Sequence, residues 1–316
     1  MPLSPPPHGC RLQENPYIHS GYRSEFTFRQ ALSSVLQLHS ESFNIWSHLL
    51  GFLGFASLLR WFVKNAGSEL QDRHHSWSLE VADLTSVSGD AARWPLYLFM
   101  AGACCCLLTS TVAHTFACMS KRVHSLIWKG ACAACTLAAV LHSRSPTADY
   151  AGIVVLIACS FAPPIHYAFF CEPVLMTIYL SAIGIASLFT LFFVVAPRFA
   201  GPTWRGYRAI TFSALGGMGV VPILHQVVHW ELLHRGEGGM PRPLRVAFQL
   251  EWVMGCTYWL GAYLFAKRWP ECRWPGKLDL AWSSHNLFHL LVIVAACIHV
   301  EASLILLAWR DRTQCT

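Results

Sequence analysis

Seven stretches of this 316-residue chain, near 44–63, 95–117, 150–171, 174–195, 208–228, 244–266 and 283–308, reach or approach the apolar length that a membrane-spanning helix needs. A hydrocarbon core about 30 Å thick takes roughly 20 residues of helix, and inside it only structures that satisfy their own backbone N–H and C=O groups persist. The sequence therefore predicts an all-α membrane protein, a seven-transmembrane helix bundle. Composition agrees: 54% of residues are hydrophobic and 13% charged, where soluble domains carry about 25% charged residues. The natural division is a segment over 1–43, a spanning domain over 44–308 and a short tail over 309–316.

Basic residues orient the bundle. With seven spans, the side that holds the N-terminus carries 14 Lys and Arg, among them Arg23, Lys121, Arg144, Arg198 and Lys277, against 8 on the other face. Positive loops stay in the cytosol, so the N-terminal segment is expected there and the C-terminus outside or in a lumen. No apolar leader is visible in the first 43 residues, and the first span is expected to act as the targeting signal. The net charge of +6 expresses this bias rather than a nucleic-acid surface.

Polar residues inside the apolar stretches are not scattered. Ser110 and His114, Asp149 and Tyr150, and His285 and His289 each lie at one end of a span, and alternating the spans through a bilayer brings all three pairs to the same leaflet. Ionisable groups at membrane depth are costly and usually functional. A spacing of four puts Ser110 and His114, and likewise His285 and His289, on one helix face. Three imidazoles suit Zn²⁺, which at catalytic sites takes three protein ligands and one water; Asp149 is then placed to hydrogen-bond that water.

Other polar residues are expected to do less. His225, His229 and His234 end the fifth span, on the opposite face, as histidines at headgroup level. His166, beside Pro163 and Pro164, is expected to satisfy backbone groups freed by a proline kink, and Gly216 with Gly217 to mark a close helix contact. The cysteines, with an odd count of 13, give no disulfide framework, and Cys315 is left as lipidated or free. Cys132 and Cys135 form a CxxC in an Ala/Cys-rich run, which is expected only to pack.

Residues 16–23 (PYIHSGYR) and the pattern Glu41, Asn44, Trp46, His48 within SVLQLHSESFNIWSHLLGF resemble the opening of the progestin and adipoQ receptor family. Ser110 with His114, DYAGI at 149–153 and SSHNLFH at 283–289 resemble that family's remaining motifs. The wording of the opening is most similar to the family's Golgi-associated, Raf-kinase-trapping branch, and next to the adiponectin receptors. The resemblance implies a bundle of the adiponectin-receptor type with zinc held by His114, His285 and His289, and with Asp149 holding the zinc-bound water. It further implies either a receptor suited to hydrolysing ceramide-like lipid amides, with Asp149 as acid/base and Ser110 supporting the oxyanion, or a non-catalytic Golgi anchor that holds a cytosolic kinase such as Raf and uses zinc structurally. The expected partners are membrane lipids, ceramide-like or steroid, and a cytosolic kinase, with no nucleic acid; the expected location is Golgi or plasma membrane.

One departure from the family pattern bears on the site. His114 and Asp149 are 35 residues apart, where the family joins them by a short loop. Residues 130–147 are therefore taken as an interfacial or re-entrant insert, because a spanning insert would put His114 and Asp149 on opposite sides of the membrane.

Overall fold

The structure is a computed structural model, and it describes residues 15–23, 25–65, 91–119, 145–199, 202–233, 239–313 and 315. Ten α-helices and two short 3₁₀ turns make up the described chain, with no strand among the described residues. A short α1 (Phe28–Ser34) precedes the long α2 (Ser42–Asn65) and α3 (Trp94–Phe116). Then follow α4 (Ser145–Ser160), α5 (Ala162–Ala168), α6 (Pro173–Val195), α7 (Arg205–Gly217), α8 (Val220–Leu233), α9 (Arg242–Lys267) and α10 (Ser284–Arg310).

These elements make seven membrane crossings, α4 with α5 and α7 with α8 each forming one broken span. Six crossings are long and apolar enough by composition alone. The other, α9, has the length at 26 residues but carries Arg242, Arg245, Gln249 and Glu251. The break after α4 falls at Phe161, directly before Ala162, Pro163 and Pro164, because proline removes a helical N–H and clashes with the preceding turn. His166 does not repair that break: both its ring nitrogens are buried without hydrogen-bond partners. Its ring instead meets Trp94 edge-on at 5.2 Å.

Neighbouring spans pack on one another around the bundle, α2 on α3, α3 on α4, α4 on α6 and α9 along α10, and α10 closes it against α2 and α5. Glycines decide how closely α3 and α4 approach. A Cβ at Gly152 would lie 3.2 Å from the Cα of Cys106, and one at Gly102 would lie 2.7 Å from the Cβ of Cys159. At the broken spans, a Cβ at Gly219 would lie 3.0 Å from Phe161. Gly216 faces open space and Gly217 makes only an ordinary contact with Trp259, so the close approach expected there belongs instead to Gly102, Gly152 and Gly219.

This packing gives a direct test. Gly152→Val forces a side chain against the α3 backbone and is expected to cost about 1–3 kcal/mol, seen as a lower melting temperature in detergent. Gly54→Ala, where nothing lies within 4 Å, is expected to be neutral or slightly stabilising. Equal effects of the two substitutions would contradict a tight α3–α4 contact.

The stretch read as an insert, with Cys132 and Cys135, lies outside the described residues, as does His234. Cys315, left open by the sequence, forms a disulfide with Cys171, 144 residues away. It ties the tail to the turn between α5 and α6.

Candidate metal centre

At one end of the bundle, His114 near the C-terminus of α3 meets His285 and His289 in the first two turns of α10. The α10 start is firmly set. Ser283 and Asn286 form a reciprocal cap, and the buried Glu271 accepts from Ser284 N at 2.7 Å and Ser284 Oγ at 2.5 Å. Carboxylate charge at a helix N-terminus is favourable, and here it holds the helix end that carries the two histidines.

The end of α3 is held by the N-terminal segment. Buried Arg23 donates to the carbonyls of His114 at 2.7 Å and Thr115 at 3.2 Å, and to Ser34 Oγ at 2.6 Å. It thereby caps the last carbonyls of α3, where a cation also suits the helix dipole. Glu41, just before α2, accepts from His114 Nδ1 at 2.6 Å and from Asn44 Nδ2 at 2.9 Å. Asn44 in turn accepts from Asn286 Nδ2 at 2.6 Å, which joins α2 to α10. Burial alone would raise the Glu41 carboxyl, but the charge and hydrogen bond of the His114 ring hold it well below the ordinary carboxylate range.

His114 turns Nδ1 toward Glu41 and Nε2 toward the other two rings. His285 Nε2 lies 3.3 Å from His114 Nε2 and 3.1 Å from His289 Nε2. Two imidazole nitrogens bound tetrahedrally at about 2.0–2.1 Å from an ion stand about 3.3 Å apart. The ligand nitrogens of all three residues lie within 4.8 Å of one another. The three histidines could hold a metal ion, and their spacing fits one. The second-layer carboxylate on His114 is the arrangement that fixes tautomer and orientation in metal-binding histidines.

Asp149, at the start of the apolar part of α4, lies with Oδ2 3.9 Å from His114 Nε2. That gap is too long for a direct hydrogen bond and has room for a bridging water. The structure thus brings Asp149 to the cluster although it lies 35 positions after His114 in the chain. Ser110, one turn along α3 from His114, is fully buried, and its Oγ has no hydrogen-bond partner. His48 stacks on His289 with ring centroids 3.8 Å apart, a packing role that its place in the opening motif signalled only as a motif residue. By contrast His225 is bonded to Tyr179 Oη at 2.7 Å; neither it nor His229 belongs to a metal-capable group among the described residues.

Asp149 and His285 also line a cavity of about 180 Å³ between α4, α5, α7, α8, α9 and α10. Its walls are apolar, with residues such as Ile153, Phe212, Trp259 and Phe288. Sequence reasoning missed this space, since it arises where broken spans part from their neighbours, and missed the Glu251–His299 pair beside it. A carboxylate in the middle of the sixth apolar stretch was the available signal.

Fold and cluster together define a heptahelical membrane protein with a metal-capable centre at one end of the bundle. The haemolysin-III related family profile matches residues 36–130 and 133–300, and the chain belongs to that family, the progestin and adipoQ receptors. It is 34% identical to heptahelical transmembrane protein 1 of Arabidopsis thaliana over 305 residues, covering 96% of this chain and 80% of the relative. Identity is 32% to heptahelical transmembrane protein 4 of the same plant, over 96% and 88% of the two chains. It is also 32% to the adiponectin receptor protein of Drosophila melanogaster, over 91% of this chain and 55% of that protein.

Proposed function

We propose that this chain is a signalling receptor of the progestin and adipoQ type whose His114, His285 and His289 bind Zn²⁺ and whose site hydrolyses ceramide-like lipid amides. The observation that carries this reading is the grouping of His114, His285 and His289 beside Asp149, with Asp149 and His285 lining an apolar cavity. His114, His285 and His289 would hold the zinc ion, which would supply Lewis-acid activation of a water and of a carbonyl. Asp149 takes the water's proton and returns it to the leaving amine, and the unpartnered Ser110 hydroxyl supports the developing oxyanion. The cavity accepts the hydrocarbon chain, so that the amide enters laterally from the bilayer.

A structural role for zinc has one observation in its favour. The bonds linking Glu41, Asn44, Asn286 and His114 tie α2, α3 and α10 together around the cluster, as an anchor for a cytosolic kinase such as Raf would need. Turnover of a long-chain ceramide by the purified protein, abolished by a chelator and restored by zinc, is the result expected of an enzyme. Undetectable turnover by zinc-loaded protein would leave the anchor.

We infer an N-terminus, with residues 1–43, in the cytosol and a C-terminus outside or in a Golgi lumen. Besides the basic loops, the Cys171–Cys315 disulfide lies at the bundle end opposite the metal centre, and disulfides persist on the oxidising side of a membrane. An epitope tag after Thr316 is expected to stay hidden from antibody when only the plasma membrane is opened and internal membranes remain sealed, if the protein is Golgi-resident. On intact cells it is expected to be stained if the protein is at the surface. Labelling of internal membranes under the first condition would reverse the topology.

A further inference from the structure

The cavity has a second carboxylate in its wall besides Asp149. Glu251 on α9 lines it yet is only 5% exposed, and its partner His299 on α10 is 1% exposed. His299 Nδ1 sits 3.0 Å from Oε2 and 2.9 Å from Oε1. The single Nδ1 faces both oxygens, so the carboxylate keeps acceptor capacity unused: Oε1 has no well-aligned donor, and His299 Nε2 is buried without a hydrogen-bond partner. A buried acceptor without a donor is costly, and an ionisable pair inside a membrane span is a functional signal.

Its depth can be read from the helices. Phe265 of α9 packs on His285 of α10, with ring centroids 5.3 Å apart. Glu251 lies 14 residues before Phe265, and His299 14 residues after His285. Both antiparallel helices therefore place the pair at the same distance from the metal centre, about 21 Å at 1.5 Å per residue. An extended saturated chain advances about 1.25 Å per carbon, as bond lengths near 1.5 Å and tetrahedral angles require. About 17 carbons bridge the two ends.

We propose that the cavity selects a lipid that is polar at both ends: a long chain whose head lies at the metal centre and whose far end carries a hydroxyl that donates to Glu251. This rests on the reading of the cavity as a lipid site. An unsubstituted chain of that length leaves Glu251 with only the shared His299 Nδ1 as partner, and a hydroxyl halfway along the chain is buried among apolar walls.

The test is competition for binding to the full-length, zinc-loaded protein in nanodiscs, with a fluorescent fatty acid displaced by hexadecanoic acid, 8-hydroxyhexadecanoic acid or 16-hydroxyhexadecanoic acid. A hydrogen bond to a buried carboxylate is expected to favour the 16-hydroxy acid about tenfold over the unsubstituted acid, with the 8-hydroxy acid weakest. The double variant Glu251→Leu, His299→Leu removes both polar groups together, which keeps the core packed, and is expected to reverse the preference toward the unsubstituted acid. Equal binding of the three acids by wild type, or an unchanged preference in the double variant, overturns the inference and leaves the lipid site standing. Failure of all three acids to displace the probe removes the lipid site and the inference with it.

Discussion

Replacing His285 and His289 together by Ala is expected to take the protein from about one zinc per chain to less than about a tenth of that. His114 alone retains a single imidazole, and Asp149 is not in the group whose ligand atoms lie within 4.8 Å of one another. Structural zinc sites contribute as much as about 10–16 kcal/mol of apparent binding energy, and an ion held by these three histidines would join α3 to α10 across the bundle. A fall in melting temperature should therefore accompany the loss of metal. Replacing His225 and His229 by Ala is the matched control, since His225 already has Tyr179 as a partner, and zinc content is expected to stay at the wild-type level. Metal analysis showing undiminished zinc in the His285, His289 variant would remove these ligands from consideration.

Asp149→Asn separates catalysis from structure. The substitution keeps size and hydrogen-bonding capacity but cannot take up a proton, so zinc is expected to remain while ceramide turnover falls by about 10²–10⁴. Since the two readings of the site share their metal ligands, only this kind of variant distinguishes them. Retained turnover with retained zinc would show that Asp149 takes no part in proton transfer. Loss of zinc along with turnover would instead make Asp149 part of the metal's own coordination.

Much of the centre is legible in the amino-acid sequence. Helical periodicity puts residues four apart on one face, so Ser110 with His114 and His285 with His289 pair by spacing alone, and the alternation of spans puts them at one membrane face with Asp149. Both are local or counting rules, and neither needs knowledge of how helices pack. The long connection before Asp149 obscures the assembly because chain length limits only how far two residues can be, not where they end up.

What joins one span to another was decided by tertiary packing. Arg23 on the end of α3, Glu41 on His114, Glu251 on His299 and Cys171 with Cys315 are separated by 91, 73, 48 and 144 residues. Such pairs depend on the rotation and depth of each helix relative to its neighbour, which are set by which side chains interlock. At the α3–α4 contact that rests on Gly102 and Gly152, whose missing side chains let the backbones approach. The sequence by itself determined the number of spans, the membrane as their solvent and the three histidines on their faces, because those follow from hydrophobic length and the helical repeat. The approach of Glu41 to His114, the apolar cavity behind Asp149 and its buried carboxylate came only with the folded bundle, because they exist between helices and no single helix encodes them.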